Sequence, residues 1–151
     1  MGEEEHSVEQ NPQEMMLDNI EALLEAARYD DIDDVKSIAS AGLSLDSKDS
    51  QGRTALHMAA ANGHLDIIVY LLRNGVDVNA SNVENNTPLH WACLNGHIEA
   101  VKHLILAGAN ISALNRCVIS NSHFRVSHQY LNIDGLFGKL DGIMLEKEKP
   151  S

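Results

Sequence analysis

An eleven-residue pattern occurs twice in this chain at a spacing of 33: TALHMAAANGH at 54–64 and TPLHWACLNGH at 87–97. Thr54 answers Thr87, Leu56 answers Leu89, His57 answers His90 and Ala59 answers Ala92, and Asn62, Gly63 and His64 answer Asn95, Gly96 and His97. A catalytic constellation occurs once per site. A pattern that returns at a fixed period belongs to an architecture of stacked supersecondary units. Each unit reads as a pair of helices. The threonine caps the free N–H groups of the first turn, and Pro88 follows where a missing donor costs nothing. Asn-Gly ends this short helix, because glycine takes the left-handed conformation of a helix C-terminus cheaply. A second helix follows, with Leu65, Ile68, Leu71 and Leu72 in one unit and Ile98, Val101, Leu104 and Ile105 in the next at helical spacing. It stops at Gly75 or Gly108, and the linkers GVDVNASNVENN and GANISALN are rich in turn residues.

The two full units are 49–81 and 82–114. Residues 15–48 read as a divergent first unit. In it Leu23, Ala26 and Ala27 fall on Leu56, Ala59 and Ala60, and Ile32, Val35, Ile38 and Gly42 fall on Leu65, Ile68, Leu71 and Gly75. Glu21 stands in for Thr54 and Leu24 for His57, as expected of a terminal unit with no neighbour on one side. Residues 1–14 are polar and acidic and read as a disordered lead. After Arg116 the period is lost, with Arg125 and Val126 where an alanine pair is due. Residues 117–151 are then either a degenerate capping unit or a segment unrelated to the array. The spacing of their apolar residues fits no helix pair, so the tail is expected to dock loosely and to leave Leu89, Val101, Leu104 and Ile105 partly open.

The set TPLHWA, NGHIEAVKHLILAGA and DVNA, in register at 33 residues, resembles the ankyrin repeat, closely over 49–115 and weakly over 15–48. The resemblance implies an all-α solenoid of L-shaped units, each two antiparallel helices followed by a β-hairpin-like loop. It implies that His57 and His90 pin their own helix starts, and that His64 and His97 bond backbone in the inter-repeat loop. With Thr54, Gly63, Thr87, Pro88 and Gly96 these form the structural motif. Asn85 replaces the glycine that Gly52 supplies one unit earlier; asparagine tolerates the same left-handed region, so the turn should survive. Ankyrin proteins bind through the variable positions between the fixed ones. Here these are Lys48, Ser50, Gln51, Arg53, Met58, Ala61 and Asn62 in one unit and Ser81, Val83, Glu84, Asn86, Trp91, Leu94 and Asn95 in the next, with Arg28 and Tyr29 in the first. Trp91 aligns with Met58 and reads either as a binding hot spot or as a cover for Met58. Asn79, which closes LLRNGVDVN, resembles the ankyrin asparagines that hydroxylases modify; the alternative is a plain turn role.

Charge narrows the partner. Residues 1–50 hold 14 acids against three bases, and the remainder holds eight of each, so the whole formal net charge of −11 lies in the first third. Direct binding of nucleic acid is disfavoured, since phosphate contacts need a basic surface. A basic protein is the favoured partner, the plainer reading being that acids keep the chain soluble. Cys93 sits in an alanine slot of the core, and Cys117 at the edge of the array; neither belongs to a CxxC pair, so an intracellular, reducing compartment is expected. The four array histidines lack metal-ligand spacing, and no nucleophile–base pairing or phosphate loop is visible. The chain therefore reads as non-enzymatic, with no cofactor, metal, membrane or small-molecule substrate, located in cytoplasm or nucleus. Its expected role is a protein-interaction adaptor, with a chaperone-like binder of a basic client such as a ribosomal protein as the finer version. The alternative is a regulatory or substrate-recognition subunit of a signalling, ubiquitin or transcription complex.

Overall fold

The computed structural model of the protein describes residues 11–112. The lead up to residue 10, the 117–151 segment and Cys117 lie outside the described residues. Six helices follow in order: α1 (Pro12–Arg28), α2 (Ile32–Ser40), α3 (Ala55–Asn62), α4 (Leu65–Arg73), α5 (Pro88–Leu94) and α6 (Ile98–Leu106). They form three pairs, α1–α2, α3–α4 and α5–α6, stacked so that α3 packs between α1 and α5 while α4 packs between α2 and α6. The described residues contain no strand.

Local chemistry sets the helix ends. Thr54 is extended at φ −115° and ψ 169°, and its hydroxyl accepts from the His57 N–H, as Thr87 does from the His90 N–H. Gly63 ends α3 at φ 70°. Asp30 stands at the same place in the first repeat and is left-handed at φ 63° although it has a side chain. The first helix differs most from expectation. Asn11 caps it by accepting from the Glu14 N–H at 2.8 Å, and Pro12 takes the opening position. Pro12, Gln13 and Glu14, expected in a disordered lead, therefore form the first turn of α1. With 17 residues, α1 is about twice as long as the eight-residue α3.

The core is a register of aliphatic layers. Leu23, Leu56 and Leu89 stand one period apart and are at most 1% exposed, as are Val35, Ile68 and Val101 on the second helices. Burial of this kind stabilises by roughly 1.5–3 kcal/mol per large aliphatic side chain. Leu104 and Ile105 are buried too, so the four residues expected to form a partly open face are out of solvent, and Leu106 is the exposed leucine of α6. Cys93 is fully buried in its alanine slot.

Gly63 shows how tightly the repeats sit on one another. A Cβ there would lie 2.6 Å from Nδ1 of His97 in the next repeat, whereas one at Gly75, also left-handed at φ 79°, meets nothing within 4 Å. Both Gly63→Ala and Gly75→Ala carry the left-handed strain of roughly 1–2 kcal/mol, and only the first must also displace an imidazole. Urea unfolding should show Gly63→Ala to be the more damaging, by about 1 kcal/mol or more. Equal losses would deny the contact.

Candidate interaction surface

The hairpin-like loops are built on one side chain each. Asp49 Oδ1 accepts from the N–H groups of Gln51 and Arg53, both at 2.9 Å, while Oδ2 meets Arg53 Nε at 2.7 Å and Nη2 at 2.6 Å. Asn82, one period on, accepts from the N–H groups of Glu84 and Asn86 at 2.9 Å. Burial pushes the Asp49 carboxyl up, but the hydrogen bonds and charge of Arg53, with the Gln51 N–H, more than reverse this and hold it below the usual carboxylate range. Each tip closes with a backbone bond, Asp49 N–H to Arg53 O and Asn82 N–H to Asn86 O. Gly52 at φ 75° and Asn85 at φ 63° make the same left-handed turn in the two tips, as expected of Asn85. Asp49 and Asn82 went unremarked in the sequence reading. The signal was available, because an Asp or Asn in a turn readily accepts from N–H groups two residues on.

The loops are joined along the array. Val83 N–H donates to Gln51 O at 3.0 Å, and Lys48 Nζ donates to Ser81 O at 3.2 Å. Asp46 Oδ1 accepts from Asp77 N–H at 2.9 Å, and Asn79 Oδ1, one period later, accepts from Asn110 N–H at 2.7 Å. The exposed Asn79 side chain also donates to Gly108 O at 3.4 Å, so the carboxamide of the asparagine singled out for hydroxylation spans two repeats. Lysine and asparagine here therefore hold loops together as well as facing solvent.

Most of the expected partner-binding positions do face solvent. Tyr29, Lys48, Ser50, Gln51, Asn62, Ser81, Val83, Glu84, Leu94 and Asn95 are exposed, and Arg28, Arg53, Ala61, Asn86 and Trp91 are half-buried. Tyr29 and Val83 are 70% and 69% exposed. Met58 is a correction: at 3% exposure it belongs to the core, with the Arg28 Nη2 atom 3.4 Å from its sulfur. It stands on the face of α3 that packs against the neighbouring inner helices, where a long, flexible side chain fills space. Trp91 packs towards the preceding repeat, but its ring meets His57 edge-on, at 5.2 Å between centroids and 69° between planes. Asn62 and Asn95 point their amides back to their own helices, at Met58 O and Trp91 O.

Three of the motif histidines, His57, His64 and His97, meet a neighbouring repeat. His57 is fully buried. Its Nδ1 accepts from Thr54 N–H at 3.1 Å and lies 2.9 Å from the Thr54 hydroxyl, and its Nε2 lies 2.8 Å from Asn86 O. These partners require the neutral ring with its proton on Nε2. One imidazole thus closes its own helix start and pins the following loop. His64 Nε2 donates to Arg28 O at 2.8 Å, holding the end of α1. The His90 N–H reaches the Thr87 hydroxyl at 3.4 Å, and the His97 ring lies over Gly63.

Burial pushes the His57 pKa below the usual imidazole value, against the pull of the Asn86 carbonyl; the Lys48 and Arg53 charges lower it further and Asp49 raises it. The unfolded chain takes up a proton near pH 6.5, while the folded protein resists until lower pH. Stability from this group is therefore complete above about pH 6.5 and is lost as pH falls through the folded-state pKa. Melts between pH 7.5 and pH 5 should fall more steeply for the parent protein than for His57→Gln. Parallel curves would show that His57 does not carry the effect.

A cleft of about 370 Å³ lies between α1 and the first loop, lined by Leu17, Ile20, Glu21, Leu24, Glu25, Arg28, Asp49, Ser50 and Arg53. Among the described residues, no group of three His, Cys, Asp or Glu side chains is placed to hold a metal ion, and no helix is long and apolar enough to cross a membrane.

Comparison with known proteins agrees with this geometry. The family model described as ankyrin repeats, in three copies, matches residues 23–115. Two curated relatives align over 50 residues: the mitochondrial liver isoform of glutaminase from Rattus norvegicus at 40% identity and that from Mus musculus at 38%. The aligned stretch is 33% of this chain and spans only 8% of either glutaminase.

Proposed function

The chain belongs to the ankyrin-repeat family, whose repeats are protein–protein interaction modules and generally non-catalytic, and we propose that it is an adaptor that holds a basic protein partner. The observation that carries this reading is the row of exposed side chains along successive loop tips, from Lys48 and Gln51 to Ser81, Val83 and Glu84. It adjoins the acidic first third of the chain. Loops braced by Asp49 and Asn82 are already ordered, so recognition forfeits little entropy on binding. The finer version is a chaperone-like role that shields a basic client, in the cytoplasm or nucleus and without cofactor or catalysis. A 50-residue likeness to glutaminase carries no glutaminase activity over.

A second reading draws on the exposed Tyr29 and Val83. Apolar contacts of that kind suit a regulatory or substrate-recognition subunit whose activity lies in its partner. Salt separates the two readings, because screening weakens exposed charge pairs and leaves apolar contacts intact. With the full chain as bait in a cell extract, the adaptor reading expects a basic protein that is retained at 0.1 M salt (a Debye length of about 10 Å) and released near 1 M (about 3 Å). It also expects weaker retention by Gln51→Ala/Glu84→Ala, which removes an exposed acid from the loop tips. Retention of a partner through 1 M salt favours the second reading, and turnover by the purified chain defeats both. The proposed hydroxylation of Asn79 is read by peptide mass spectrometry of protein from its native source; zero occupancy ends that proposal.

A further inference from the structure

Helix α1 departs from the repeat in a way that builds a second recognition feature. Ala55 opens α3, and the position one period earlier is Ala22, yet α1 begins at Pro12. Residues 12–21 thus replace, with helix, the stretch that carries a hairpin loop in the later repeats. Glu14, Asp18, Glu21 and Glu25 follow at spacings of four, three and four residues, which puts them on one face of this helix. Beside that face lies the cleft against the first loop, with an apolar floor of Leu17, Ile20 and Leu24. Ile20 and Leu24 are buried in the core, whereas Leu17 is 54% exposed.

Of the two bases lining this cleft, Arg53 is neutralised within the protein, and Glu21 and Glu25 outnumber the charge of Arg28. Arg53 is paired with Asp49 through two nitrogens, and the Arg28 guanidinium rests against the Met58 sulfur. Glu21 and Glu25 are exposed, one helical turn apart, and like charges at that spacing repel. An incoming cation relieves that repulsion, and an incoming aliphatic side chain covers Leu17. A groove with both an acidic rim and an apolar floor asks for both features in one ligand. Phosphate backbones and anionic lipid surfaces are repelled. A free polyamine answers the charge but leaves the floor uncovered.

We propose that this cleft takes a basic segment of the partner protein, with an aliphatic side chain seated on Leu17, Ile20 and Leu24 and lysine or arginine at Glu21 and Glu25. The inference rests on the adaptor reading and deepens it, by locating the charge-dependent contact on α1 rather than on the loop tips.

The test uses the full chain and the synthetic peptide Ac-GKLKKLAKG-NH2, with Ac-GKSKKSAKG-NH2 and spermine as comparisons, followed by calorimetry and amide NMR shifts. The first peptide should bind with shifts confined to α1 and residues 49–53, and several-fold more tightly than either comparison. Glu21→Gln/Glu25→Gln should weaken it about fivefold, in line with two exposed charge pairs, and Leu17→Gln by about threefold. Asp66→Asn, on the outer helix α4, should change nothing. Spermine binding as well as the peptide, shifts outside α1 and residues 49–53, indifference to Glu21→Gln/Glu25→Gln, or absence of binding at millimolar peptide would each overturn the proposal. A cell partner still retained by the Glu21→Gln/Glu25→Gln chain would remove the cleft from the interface and leave the adaptor reading standing. Peptide binding without any basic cell partner would sink the adaptor reading instead.

Discussion

Leu89→Ala should lower the stability of the array by roughly 2–5 kcal/mol, the range seen when a fully buried leucine leaves a cavity behind. Leu89 is 0% exposed and stands in the same layer as Leu56 and Leu23. A small domain has only about 5–15 kcal/mol to lose, so the melting temperature should fall by some 10 °C or more. Glu84→Ala, on an exposed loop tip, is the matched control and should stay within about 0.5 kcal/mol. Thermal melts of the two variants beside the parent decide the matter. Comparable melts would contradict the assignment of Leu89 to the core.

His57→Ala should cost about as much by a different route. The imidazole satisfies the Thr54 N–H and hydroxyl inside its own repeat and the Asn86 carbonyl in the next loop. Truncation leaves the buried Thr54 N–H without its partner, at roughly 1–3 kcal/mol, takes one of two bonds from the Thr54 hydroxyl and from the Asn86 carbonyl, and removes the ring on which Trp91 rests. A loss of about 3 kcal/mol is expected, less if water enters the gap. His103 makes a good comparison, since its Nδ1 lies 2.7 Å from Glu99 O on its own helix. His103→Ala should cost under about 1 kcal/mol. Hydrogen exchange separates this mechanism from simple loss of volume. His57→Ala should speed exchange at residues 82–86, which the imidazole pins, more than at Leu65–Arg73. Uniform acceleration through the whole array would show that the bond to Asn86 is not what holds that loop.

The sequence by itself determined what depends on neighbours within about four residues. Thr54 and Thr87 announce helix starts because a hydroxyl reaches an N–H three residues on. Gly63 announces a helix end, and Asn85 a turn, because the left-handed region excludes most side chains. The start of α1 was legible in the same way, as Asn11, Pro12 and Glu14 form a cap, an opening proline and a first-turn acid. The polar, acidic composition of residues 1–14 points to a disordered lead instead, and in the structure the local cap prevails. The period and the aliphatic layers also followed from the sequence, since a fixed repeat of apolar positions has one economical way to be buried. Only the tertiary structure decided which side chains serve two repeats. His57 reaches Asn86 across 29 residues and His64 reaches Arg28 across 36. Met58 is buried, Trp91 meets His57 rather than standing clear, and the extension of α1 faces the first loop across a cleft. These outcomes depend on the distance and rotation between stacked repeats. Packed side-chain volumes set that geometry jointly, so no single segment of the sequence encodes it.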